Sequence, residues 1–160
     1  TVRLSLERKG HFRKNDTIEQ LIIKKEVVLN EGDENLTVSY RVEGNVRSPF
    51  LIGIEHNFAF LGSGGERYIE TEAGRYPLTV KKVLSASKNV ICYDPYQKII
   101  VSLAWDMPQE IWTFPVEVVS LSEKGFERNY QSTMIMPIWP VDLSHGPREI
   151  QLTLRLQQIC

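Results

Sequence analysis

Ile150-Gln151-Leu152-Thr153-Leu154-Arg155-Leu156-Gln157 alternates apolar and polar side chains without a break. A helix would scatter these residues round its circumference, whereas a strand puts all four apolar side chains on one face. The same period of two runs through Leu36, Val38, Tyr40 and Val42, which alternate with Thr37, Ser39, Arg41 and Glu43. It recurs in Ile99, Val101, Leu103 and Trp105. Each run predicts a half-buried strand with one face in a core and the other in water. Residues 18–29 carry a helix-like share of charge, but Ile22, Ile23, Val27 and Val28 are β-branched or strand-favouring, and the segment is expected to be a long strand.

Between the clear cases the pattern is less regular. Residues 50–61 are apolar on both faces by composition, which predicts a central strand. Residues 111–121 are strand-like, and Pro115 within them removes a ladder donor, so an edge or a bulge is expected there. Residues 134–139 form a short apolar run marked by Pro137 and Pro140. Turn chemistry separates the runs: Asn30-Glu31-Gly32-Asp33 predicts a hairpin, Gly62-Ser63-Gly64-Gly65 a hairpin tip, Asp94-Pro95-Tyr96 a turn, and His145-Gly146-Pro147 the lead into the last strand. Strands at this spacing predict an all-β fold, an antiparallel β-sandwich, over residues 1–160 as a single domain.

Composition narrows the function. The chain is 42% hydrophobic and carries a formal net charge of -1, so no bulk attraction to phosphate backbones or anionic lipid is expected. Nucleic acid and membrane are not expected partners. No apolar run reaches the roughly 18–20 residues that cross a bilayer, and the alternating N-terminus does not read as a signal peptide. Cys92 and Cys160 form no metal-type cluster, and a reducing, cytoplasmic setting is expected. The chain begins at Thr1 rather than Met and both ends fall in strand-like patterns, so it is read as part of a larger protein.

The search for catalytic groups gives none. His11, His56 and His145 lie on separate segments without a partner at metal-ligand spacing, so no metal or other cofactor is called for. Gly62-Ser63-Gly64 lacks the spacing and the following helix of a nucleophile elbow, and no lysine follows it to make a phosphate loop. Asp94, Asp106, Glu110 and Glu117 have the right chemistry for glycoside hydrolysis, but nothing pairs any two of them.

The candidates that remain are for binding. On a strand Glu55 and Asn57 share one face and His56 takes the other, beside Ile54 and Phe58. A buried, satisfied histidine is the plain reading of His56. Glu55 and Asn57 could line a concave face, since carboxylates and amides make paired, directed hydrogen bonds to sugar hydroxyls. Indole rings stack on the apolar faces of sugars. Trp105 continues a core alternation, while Trp112 and Trp139 lie near strand ends, where stacking is available to them.

Two blocks carry a family likeness. Ile54-Glu55-His56-Asn57-Phe58-Ala59-Phe60 and Trp112-Thr113-Phe114-Pro115-Val116-Glu117-Val118-Val119-Ser120 resemble the C-terminal β-domain of family 57 glycoside hydrolases of the 4-α-glucanotransferase and α-amylase type. The likeness continues through residues 122–132 and covers roughly residues 36–156. It implies a galactose-mutarotase-like supersandwich packed on a catalytic (β/α) barrel that holds the nucleophile and acid. By that likeness the chain is an accessory, non-catalytic module of an α-glucan-acting enzyme. Its implied partners are the barrel and, through Glu55, Asn57, Trp112 or Trp139, α-glucan. Two alternatives stand beside it: a stand-alone sugar mutarotase or epimerase, whose histidine and glutamate do not map onto His56 or Glu117, and a purely structural docking domain.

Overall fold

The computed structural model describes every residue except Asn15, Lys124 and Cys160. Thirteen strands run in chain order: β1 (Val2–Lys14), β2 (Thr17–Leu29), β3 (Asn35–Gly44), β4 (Phe50–Gly53), β5 (His56–Phe58), β6 (Tyr68–Thr71), β7 (Gly74–Pro77), β8 (Lys82–Ser85), β9 (Asn89–Asp94), β10 (Ile99–Trp105), β11 (Glu110–Ser122), β12 (Gly125–Val141) and β13 (Arg148–Gln158). None of the described residues is helical, so no helix among them is long and apolar enough to cross a membrane.

All pairings are antiparallel. The larger sheet has eight strands in the order β1-β2-β3-β13-β10-β9-β6-β7, and the smaller has the order β4-β12-β11-β8 with β5 also on β12. The two pack face to face. The alternating apolar sides of β3, β13, β10 and β9 supply Val38, Ile150, Leu152, Val101, Leu103, Val90 and Cys92 to the core. The small sheet answers with Ile111, Ile135 and Trp139. An antiparallel β-sandwich is thus what the period of two predicts. Residues 18–29 form a strand as expected, and the Asn30–Asp33 hairpin closes with the Asp33 amide on the Asn30 carbonyl at 3.1 Å, Gly32 supplying a φ of 76°.

Three expectations fail. Residues 50–61 are not a central strand but two short pieces, β4 and β5, on one edge of the small sheet. Leu51 and Leu61 are 55% and 88% exposed, so the second face that looked apolar by composition points to solvent. The Gly62–Gly65 segment is not a hairpin tip either, because it carries the chain from β5 in one sheet to β6 in the other. The run at residues 134–139 is the middle of a 17-residue strand, β12, rather than a short element. Pro115 behaves as expected: β8 pairs β11 only as far as Thr113, and the β11–β12 register shifts between Val116 and Glu117.

A buried ion pair fastens the inter-sheet crossing to the large sheet. The Asp94 side chain, fully inaccessible, accepts from Arg67 Nε at 2.9 Å, while its other oxygen takes the amides of Tyr96 and Gln97 at 2.9 and 3.1 Å. Arg67 also stacks on Tyr96 at 4.4 Å and donates to the Gly64 carbonyl. Gly65, at φ 77°, lies where any Cβ would collide with Tyr96. Burial pushes the Asp94 carboxyl upward, but Arg67 and the two amides outweigh it and hold it below the ordinary carboxylate range. Asp94→Ala strands Arg67 and both amides, and should cost about 3 kcal/mol in urea unfolding. Because the folded-state value is depressed, the contribution of Asp94 is complete above its ordinary pKa of 3.8 and is lost as pH falls through the folded value. The acid limb of the stability profile should therefore be shallower in the variant.

Candidate functional site

Strand register brings three of the four candidate residues to one surface. Asn57 pairs Met134, and Met134 pairs Phe114, so these three form a row across β5, β12 and β11 on one face. The next row is Met136, Trp112 and Val83 on β12, β11 and β8. Both rows point away from the sandwich core, because their neighbours Ile135, Ile111 and Leu84 point into it. Glu55 joins this outer face through Asn57, whose Nδ2 donates to Glu55 Oε1 at 2.6 Å.

The surface is polar on one side and aromatic on the other; of the methionines between, Met134 is buried, at 1% exposed, and Met136 is half-buried. Trp112 and Phe114 are 40% and 38% exposed. The indole is fixed by Nε1 donating to Glu110 Oε1 at 2.7 Å. A hollow of about 300 Å³ lies against it, lined by Lys81, Lys82, Val83, Trp112, Thr113 and Phe114. Lys81 and Phe114 also line a second hollow of about 320 Å³, which runs along β11 past Pro115 to Glu117, Val119 and Arg128. Together they form a trough where β8 ends and the β11 edge is left unpaired. Apolar ring faces beside amide, carboxylate and ammonium groups are the chemistry that receives a polyhydroxylated ring.

Trp139 is not on this face. It is fully buried, donates Nε1 to the Asp106 carbonyl at 3.0 Å and meets Trp105 edge-on at 6.3 Å between centroids. Lying near a strand end did not make it accessible, because its parity on β12 is that of Ile135, and so it points inward. Sequence reasoning also passed over Phe114, although its spacing of two from Trp112 was a signal that both share one face.

The catalytic candidates stay apart. Asp94 is held by Arg67, Asp106 Oδ2 accepts the Gln151 amide at 3.4 Å, Glu110 holds Trp112, and Glu117 faces Arg128 at 3.5 Å. Among the described residues no group of three or more His, Cys, Asp or Glu converges as metal ligands would. A hollow of about 380 Å³ on the outer face of β1, β2 and β3 is lined largely by Glu7, Lys24, Glu26, Arg41 and Glu149. Those charges are occupied with one another: Lys24 lies 2.6 Å from Glu43, and Arg41 reaches both Glu43 and Glu149. It is a solvated ion-pair lattice, of small energetic weight.

The chain as a whole is similar to known proteins. Residues 1–154 match the family described as Alpha-amylase/4-alpha-glucanotransferase, C-terminal. The chain belongs to this family. Within it, Alpha-amylase 1 of Dictyoglomus thermophilum is 28% identical over 127 residues, which is 76% of this chain and 18% of that protein. The crystal structure of 4-alpha-glucanotransferase from Thermococcus litoralis superposes with a TM-score of 0.68 at 22% identity, over 97% of this chain and 21% of that one. A putative aldose 1-epimerase from Escherichia coli K12 superposes with a TM-score of 0.71 at 13% identity, covering 97% of this chain and 66% of that one. The mutarotase-like sandwich is therefore the fold, and the chain spans about a fifth of the length of its two amylase-type relatives.

His56, within the block 54–60, faces inward. Its ring lies 6.0 Å from Trp105 and stacks on Phe58, and Nδ1 is buried without a partner. Burial lowers its pKa below the ordinary 6.5; the backbone at Ile135 and Ile54 opposes this, and Lys25 adds to it. The folded state thus resists a proton that the unfolded chain accepts, so stability should fall as pH drops below about 6.5. His56→Gln should remove that part of the slope in unfolding measurements between pH 7 and pH 5, roughly the window in which free histidine titrates.

Proposed function

We propose that this chain is one non-catalytic sandwich domain of an α-glucan-acting glycoside hydrolase or glucanotransferase, of the family 57 type. In this reading it supports a catalytic (β/α) barrel in the same polypeptide and contacts the glucan through Glu55, Asn57, Trp112 and Phe114. The observation that carries the glucan contact is the outer face of β5, β12, β11 and β8. There an immobilised, exposed indole and a hydrogen-bonded carboxylate–amide pair lie on the same side of one sheet. Adjacent strands are about 4.8 Å apart. β12 lies between the two groups, which are one row apart along it, so they stand at least about 10 Å from each other, a span for more than one sugar ring. Family membership supports the parent enzyme. A cytoplasmic setting suits the fully buried, free thiol of Cys92, which burial pushes up to about 12.

A mutarotase or epimerase reading has the fold likeness on its side. It needs an acid and a base facing each other in a cleft. His56 is turned into the core and Glu117 toward Arg128, so neither serves.

Titration of the chain with maltooligosaccharides should quench or shift the fluorescence of Trp112 and move the side-chain amide resonance of Asn57 in the millimolar range. Trp112→Ala should abolish both responses with little change in stability, whereas Trp139→Ala should cost about 3–5 kcal/mol as a core truncation. Silence at millimolar glucan would remove the sugar contact and leave the supporting role. Anomer interconversion should proceed at the buffer rate.

A further inference from the structure

The large sheet is wider than the small one, and the overhang has an underside that is apolar toward Val2, Leu4 and Leu6, with Lys25 and Arg8 further along the same side. Burial falls off along each row as it approaches the edge. In the row Val38, Val27, Leu4 the values run from 6% exposed through half-buried to 53%. Leu6 and Val2, on the same side of β1, are 51% and 69% exposed, and Leu29 is 44% exposed. These side chains point in the core direction but have no sheet opposite them. The wedge closes only at its far end, where Phe12 meets Phe50 at 5.1 Å.

β1 is also an open edge. It pairs β2 in unbroken register over all its length, contains no proline, and carries no strand on its other side among the described residues. A long, regular, unpaired edge with an apolar face is a template for strand addition. Its charge selects the partner. β1 carries Arg3, Arg8, Lys9, Arg13 and Lys14 against a single carboxylate, Glu7. Arg3 lies 2.7 Å from Glu26 of β2 and Lys9 3.5 Å from Glu7, exposed pairs of small energetic weight that an arriving carboxylate can exchange with. Two such strands side by side would set cation against cation, which disfavours a second copy of this chain. An acidic strand would find the opposite.

We propose that β1 is a docking edge for an extended segment of the parent polypeptide whose side chains alternate between apolar and carboxylate. The apolar ones cover Val2, Leu4 and Leu6, and the carboxylates face Arg3 and Lys9. This rests on the reading of the chain as a module of a longer enzyme. The chain's relatives are about five times its length, so a source for such a segment exists in them. Strand addition would also explain why an apolar row stops short of a partner.

The test uses the 160-residue chain and a short blocked peptide of alternating valine and glutamate, followed by amide hydrogen exchange. Alternate amides of β1 should gain protection at millimolar peptide. Affinity should be about tenfold above that of the valine–lysine counterpart, the order expected from two or three opposite-charge cross-strand pairs. Leu4→Glu with Leu6→Glu should abolish the protection while β13 exchange stays unchanged, since both leucines are exposed and the fold does not need them. The proposal is overturned if β1 gains no protection, if the lysine peptide protects equally, or if β1 becomes protected through concentration-dependent self-association without peptide. None of these outcomes bears on the glucan contact, which is read at Trp112.

Discussion

The junction of Trp105, Trp139 and Asp106 holds the two sheets in register. Trp105 ends β10 in the large sheet and sends its Nε1 to the Ser87 carbonyl at 2.9 Å. Trp139, on β12 of the small sheet, sends its own to the Asp106 carbonyl. The Asp106 amide and carboxylate in turn engage the two backbone groups of Gln151 on β13. Two indoles therefore meet edge to face with both donors satisfied, and the backbone between β10 and β11 is fixed from β12 and β13 at once. Every surface discussed above inherits its position from this joint, because β12 carries the small sheet. β4, β5 and β11 all pair with it, and β8 reaches it only through β11.

That dependence explains what the sequence disclosed and what it hid. Strands with one wet face announce themselves, and β3, β10 and β13 follow the alternation of their residues. β12 does not, because Met134, Ile135, Ile138 and Trp139 are buried on both faces and the period of two vanishes. Pro137 and Pro140 then looked like terminators. They are tolerated inside the strand for a local reason: Pro137 lies opposite the gap between β4 and β5, where no ladder donor is required of it and its carbonyl takes the Ile54 amide at 3.2 Å. The same gap splits residues 50–61, which composition alone could not reveal.

The site was legible to the same degree. Parity placed Glu55 with Asn57 and opposed them to His56, and this held because parity within one short run is local. Placing Trp112 on their face required the pairing of three strands, which is tertiary information. Trp139 was misplaced for the same cause: a strand end is accessible only where the strand lies at the rim, and β12 runs through the middle of its sheet. The knot of Arg67, Asp94 and Tyr96 left no sequence signal beyond Asp94-Pro95-Tyr96 as a turn. The carboxylate there looked available for chemistry and instead holds a loop.

A module needs two surfaces if it is to support an enzyme and touch its substrate, and they must not compete. In this fold they cannot. The Trp112 face lies on the outer side of the small sheet, whereas the underside of β1 belongs to the large sheet and opens past the β4 edge. The two also differ in what they offer. One presents rings that stack and polar groups already oriented by Glu110 and Asn57, suited to a hydroxylated ligand that arrives and leaves. The other presents aliphatic side chains and a bare backbone ladder, which reward a partner that stays. Reversible contact on one sheet and lasting attachment on the other is a division that the unequal widths of the two sheets make available.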